Sequence, residues 1–202
     1  MKCSRCGLDS ANIADKEKNL CQMCFLEDNL PSKYTKGFWI LVFNQKSFAD
    51  KKKKKKIGRV ASFRKKGEVV EVLYKNNAIK TFKLTHKNLD FIAKESNKLI
   101  GKWLVYESPS KIDQLWLKIA KATIDGELGI TAKVSTALSE IKEHFVICVY
   151  TENYFDLEDV NRVRDKLTEL GITQTLYYKP DLYTYLGIYE NTTCLEPYRY
   201  KS

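Results

Sequence analysis

An α+β fold is what this 202-residue sequence predicts, and three observations lead to it. Two CxxC pairs stand in the first 30 residues, where little else could form a core. The stretch from 37 to 84 breaks into short strands on tight turns. Beyond residue 98, strands and helices follow in the order β-α-β-β-α-β-β. The expected architecture is a zinc ribbon over residues 1–30, a small basic β-barrel of SH3-like kind over 31–98, and an antiparallel sheet backed by helices over 99–202.

The first part follows from cysteine spacing. Cys3-Ser4-Arg5-Cys6-Gly7 can turn two thiolates onto one ion, and the glycine after them permits a close backbone approach. Cys21-Gln22-Met23-Cys24 supplies the second pair after 14 intervening residues. Four sulfurs fill a tetrahedral shell and leave no open position, so Cys3, Cys6, Cys21 and Cys24 read as a structural zinc site and not a catalytic one. Iron in a rubredoxin-like site is the other ion this donor set takes, and four free thiols are the plain alternative. Cys148 lies in the apolar run 145–150 and reads as a small buried hydrophobe, and Cys194 carries no motif.

The second part is read from β-rich runs. Residues 38–43 (FWILVF), 59–63 and 67–74 are expected strands, and Lys75-Asn76-Asn77 turns the chain into the cleanly alternating 78–84. Between the first two runs stand Lys51, Lys52, Lys53, Lys54, Lys55 and Lys56, a like-charged tract expected to form an extended loop. Residues 1–98 carry 23 Lys and Arg against 10 Asp and Glu, a net +13, whereas residues 99–202 carry 12 against 15, a net −3. The overall +10 therefore belongs to the first half. Arg59, Arg64, Lys65 and Lys66, with Lys46, Lys75, Lys80 and Lys83, interleave with Phe43, Phe63, Tyr74 and Phe82, the composition of a surface that follows phosphates. The expected partner is nucleic acid, RNA first. A solvated lysine loop over core aromatics is the alternative.

The third part alternates. A strand at 102–106 precedes a helix from Lys111 to Ile124 with Ile112, Leu115, Trp116, Ile119 and Ala120 on one face. Strands at 130–135 and 144–150 follow. A second helix opens at Asp156, whose carboxylate can cap it, carries Val160, Val163 and Leu167 inward, and stops at Gly171. Strands at 175–178 and 183–189 complete the order. No run of about 20 uncharged apolar residues exists, so no membrane span is expected and a cytoplasmic protein is.

The runs GELGITAKVST at 126–136, HFVICVYT at 144–151 and YKPDLYTYLGIY at 178–189 resemble the basophilic-leukaemia-expressed protein family, over roughly residues 99–202. The resemblance implies a fold like that of the cap-binding translation initiation factor 4E, a curved antiparallel sheet backed by helices. The family has also been likened to the phosphothreonine lyases of bacterial effectors. Cap binding needs two aromatic rings around a methylated guanine. Trp103, in a strand, and Trp116, on an apolar helix face, read as core instead. A lyase needs a lysine base, an acid and cations for the phosphate, for which Lys133, His144, Lys179 and Arg199 are the candidates. The lyases' Lys-x-His strand motif is absent, since Lys142-Glu143-His144 lies at a strand start.

Three readings of function result. The first is a zinc-containing, RNA-binding protein whose last domain recognises a ligand or partner. The second is an enzyme or binder of a phosphorylated ligand or protein, and the third an interaction module without a pocket.

Overall fold

The computed structural model describes residues 1–10, 13–46, 58–139 and 143–202; the lysine tract at 51–56 lies outside the described residues. The first part forms a short hairpin, β1 (Ile13–Asp15) and β2 (Leu20–Cys21), leading into α1 (Gln22–Asp28). Then come β3 (Trp39–Phe43), β4 (Val60–Lys66), β5 (Val69–Tyr74) and β6 (Ile79–Lys83). The helix α2 (His86–Ser96) leads to β7 (Gly101–Glu107), α3 (Ile112–Ile124), β8 (Thr131–Ser135) and β9 (Phe145–Thr151). The chain closes with α4 (Leu157–Glu169), β10 (Tyr177–Pro180), α5 (Asp181–Tyr185) and β11 (Tyr200–Lys201).

The main sheet is antiparallel throughout, in the order β11-β10-β7-β9-β8-β3. One face is packed. Ile40, Val42, Ala132, Val134, Ile147, Val149, Trp103, Val105 and Tyr178 lie on it fully or almost fully buried, against α3 and α4. Alternation in the strands accounts for this, since every second residue is apolar and points the same way. On α3, Ile112, Trp116, Ile119, Ala120 and Thr123 are buried, as the helical spacing predicts. On α4 the buried residues include Val160, Val163 and Leu167, and Asp156 caps its start by accepting from the Asp159 N–H at 3.2 Å. Each large apolar side chain so placed stabilises the fold by roughly 1.5–3 kcal/mol. Trp103 and Trp116 are core, as expected, and the Trp103 Nε1–H donates to the Val160 carbonyl at 2.9 Å.

The glycines of the 126–136 run have separate causes. Gly126 sits at φ +80°, which ends α3 with a left-handed turn. Gly129 is a matter of space, because a Cβ there would stand 1.9 Å from the Tyr150 carbonyl oxygen.

Three expectations need correction. The small β-barrel does not form among the described residues: β4, β5 and β6 make an open three-stranded meander backed by α2, and β3 pairs with β8 in the main sheet instead. Strand pairing therefore crosses the boundary expected at residue 98. Residues 183–189 do not form a strand. Pro180, with φ −59°, starts α5, and Leu182, Tyr183, Leu186 and Ile188 are buried along a helical turn and the loop after it. The β-propensity of Tyr183-Thr184-Tyr185 yields to that packing, and Tyr200–Lys201 takes the place beside β10. Finally, α2 stands where no element was expected, capped by Thr85 and burying Leu89, Ile92 and Ala93.

Candidate metal centre and cationic sheet faces

The N-terminal hairpin and α1 bring four thiols to one point. Gly7, at φ +72°, lets the first knuckle close, with its N–H donating to the Cys3 carbonyl at 3.0 Å. Cys21 ends β2 and Cys24 lies in the first turn of α1, so the second pair comes from a strand-to-helix junction. The Sγ atoms of Cys3, Cys6, Cys21 and Cys24 lie within 4.8 Å of one another, and those of Cys6 and Cys21 are 3.9 Å apart. A tetrahedral thiolate shell with metal–sulfur bonds of about 2.3 Å sets its sulfurs about 3.8 Å apart, so the spacing fits a single ion. The Cys21 N–H donates to the Cys3 Sγ at 3.4 Å, a bond that favours a thiolate and lowers the Cys3 thiol to about 6. Burial pushes the Cys24 thiol up, the cost that a bound cation would offset. These four residues can hold a metal ion.

Side chains around this knot fasten it to the rest of the molecule. Arg5 donates to the Cys24 carbonyl at 3.0 Å and pairs with Asp28 at 2.5 Å, joining the first knuckle to α1. Gln22 is almost fully buried. Its Nε2 donates to the Phe43 carbonyl at 3.0 Å and its Oε1 accepts from the Phe43 N–H at 2.7 Å, so a side-chain amide serves as backbone partner to the end of β3.

The meander has two unlike faces. Phe63, Val70, Val72 and Phe82 turn inward with Tyr74, so three of the aromatics that interleave with the basic residues pack, partly buried, against the core, while Phe43 belongs to β3 in the main sheet. The outward side carries Arg64 opposite Glu71 and Lys66 and Lys83 flanking Val69, with Lys66 pairing Glu71 at 2.7 Å. Arg59, Arg64, Lys66 and Lys83 are exposed and Lys65 is half-buried. Three cations thus surround one carboxylate on this outer side.

The face of the main sheet opposite α3 and α4 is less covered. Cross-strand register sets Thr131, Tyr150, Lys102 and Lys179 in one row, and Leu41, Lys133, Cys148, Leu104 and Tyr177 in the next. Trp39, Leu41 and Tyr106 are exposed on it, and the Lys133 ammonium sits 3.9 Å over the Trp39 ring and 5.8 Å from that of Tyr150. Lys102 is paired with Asp181 and donates to Thr184 Oγ1 at 3.1 Å, while 5.2 Å from the Tyr150 ring centre. Lys179 donates to the Ile188 carbonyl at 2.6 Å and lies 3.9 Å over the Tyr189 ring. Burial first, and Lys102 second, lower its ammonium to about 8.

Of the residues read as phosphate chemistry, the sheet brings Lys133 and Lys179 onto one face. His144 is exposed just before β9, six residues from Tyr150, or about 20 Å along an extended chain. Arg199 turns its guanidinium to Asp90 of α2 at 3.0 Å, where Tyr154 also donates to Asp90 at 2.9 Å. Among the described residues no hydrogen bond or ion pair joins Arg199 to Lys133 or Lys179. Lys102, Asp181 and Tyr150 carry no motif in the sequence. The only signal was a lysine at the head of an apolar strand, whose meaning depends on register.

Among the described residues no helix is long and apolar enough to cross a membrane. A family model described as basophilic leukemia-expressed protein Bles03 matches residues 65–187. Among solved structures, a schistosome eIF4E complexed with m7GpppA and 4E-BP is similar over 66% of this chain and 86% of its own, at 13% identity and a TM-score of 0.41. Ascaris suum eIF4E-3 with m2,2,7G cap is similar over 86% of this chain and 98% of its own, at 15% identity and a TM-score of 0.39. For C. elegans eIF4E-3, in complex with the 4E-binding protein Mextli and a cap analog, the values are 56%, 62%, 18% and 0.35.

Proposed function

The chain belongs to the basophilic leukemia-expressed protein Bles03 family, and from there we propose that it is an RNA-binding protein whose N-terminal knot is closed by structural zinc. The observation that carries this reading is the outer side of the meander, where Arg64, Lys66 and Lys83 surround a single Glu71 and face solvent. A folded sheet that displays unbalanced cations at strand spacing offers a polyanion a fixed row of contacts, and each phosphate neutralised releases counterions. Because its aromatics face inward, this surface would contact the backbone and read no bases. The reading extends to the Lys51–Lys56 tract, which the charge asymmetry places in the same half of the chain. Zinc suits four thiolates at this spacing, and it would act by closing the fold and not by chemistry.

A salt titration tests this. Affinity for a single-stranded RNA should fall linearly on logarithmic axes as salt rises, and Arg64→Glu with Lys66→Glu should flatten the slope by about two contacts' worth, roughly 1.4 for single strands. RNA binding that is absent at low salt, or indifferent to salt, would remove the proposal.

A further inference from the structure

Lys102 and Lys179 are directly opposite one another in the β7–β10 pair, and each is only 6% exposed. Like charges facing each other across strands destabilise a sheet, and burying an ammonium costs several kcal/mol unless it is paired. Asp181 meets that requirement for Lys102. Among the described residues Lys179 makes no ion pair; its hydrogen bond goes to the neutral Ile188 carbonyl. The Ile188 carbonyl and the Tyr189 ring give the ammonium polar partners, but neither carries the full negative charge that would balance it. Lys133 adds a third ammonium in the neighbouring row, and among the described residues these three cations share a single ion-paired carboxylate, Asp181, an excess of two positive charges. The buried Cys148 thiol between them is pushed up by its burial and offers no counter-charge.

We propose that Lys102 and Lys179, with Lys133 at the rim, form a binding site for the terminal phosphate of a small phosphomonoester on the open face of the main sheet. The excess of two positive charges matches a phosphomonoester dianion. Deep placement of the two amines suits an end group and not the backbone of a continuous strand. Tyr189, half-exposed and lying over the Lys179 ammonium, is the cover a ligand would displace, and Gly187, at φ +64°, is the joint just before it. This inference does not rest on RNA binding by the meander, whose residues are on another sheet.

The test uses the full, metal-loaded chain with inorganic phosphate and phenyl phosphate as probes, followed by calorimetry at constant ionic strength. Both should bind. Lys179→Met should weaken binding by about tenfold or more, the effect of removing one charge-assisted bond, while Arg64→Ala with Lys66→Ala should leave it unchanged. Loss of binding in the meander variant instead, or no binding beyond that of chloride, would overturn the site. Should Lys179→Met fail to fold, acetylation of the wild type read by mass spectrometry gives the same answer: phosphate should protect Lys102 and Lys179 but not Lys66, and equal labelling with and without phosphate refutes the proposal. Competition separates the sources. A 5′-phosphorylated RNA should displace phenyl phosphate and its 5′-hydroxyl counterpart should not; equal displacement would assign the site to nucleic-acid backbone and end the phosphomonoester reading.

Discussion

Cys6 is the one exposed residue of the four-thiol group, so a change there disturbs the least packing. Cys6→Ser should drop metal content from about one ion per chain to well below it, whereas Cys148→Ser, in the main sheet, should leave it unchanged; elemental analysis of both proteins decides. Lys179 makes a second prediction, through pH. The groups that bear on it are Lys102, Asp181 and Cys148, with the Tyr189 ring over it. Its folded value of about 8 lies below its ordinary 10.5, so between these the unfolded chain binds more protons. Stability should therefore rise with pH from about 8 toward 10.5 and be flat in this group's contribution below 8. Lys179→Met should remove the rise, which denaturant unfolding at several pH values would show. Residue chemistry was legible in part. The CxxC spacing announces its four-thiol cluster because each pair lies close in the chain. Lys102 and Lys179 are separated by 77 positions, and only the β7–β10 register makes them neighbours.

At the level of elements, the strands and helices beyond residue 98 were readable because their periods are clean: Ile112, Trp116 and Ile119 on α3, and Val160, Val163 and Leu167 on α4. Asp181–Tyr185 misled, since tyrosine and threonine favour strands while the proline before them and the buried Leu182 and Tyr183 select a turn of helix. The α2 helix has a signal in the sequence, a Thr85 cap followed by Leu89, Ile92 and Ala93 at helical spacing. The close approach of α3's exit to β9 yields the next prediction. Gly129→Ala places a methyl 1.9 Å from the Tyr150 carbonyl oxygen, which backbone must move to relieve. A loss on the order of 3 kcal/mol is expected, measured by urea unfolding, with Gly67→Ala as a comparison. Gly67 has open space around it and only its φ of +54° to oppose a side chain, so its cost should be smaller, about 1 kcal/mol.

For the molecule as a whole, the halves differ in what holds them. The main sheet has its own apolar core, while the first 28 residues add few buried side chains to it, Leu26 among them. Chelation should thus melt the N-terminal part in a separate, earlier transition, with the main sheet unfolding later; one coincident transition by two probes would contradict this. The extent of the meander and of β3 was the least legible feature at this scale, because Trp39–Phe43 finds its partner strand about 90 residues away, and propensity does not say which sheet a strand joins. That placement leaves β3 at the rim of the main sheet, with one side free of strand pairing among the described residues. An open rim is a template on which a second chain can add a strand. Gln22 occupies one rung of it, answering both backbone groups of Phe43, and Gln22 is held there by the cysteines on either side. With an ion bound, the four-thiol knot would therefore guard against self-association at a place no ion touches. Stripping it should make the protein cluster more readily as its concentration is raised, seen as growing light scattering, and Gln22→Ala should move the metal-loaded protein in the same direction.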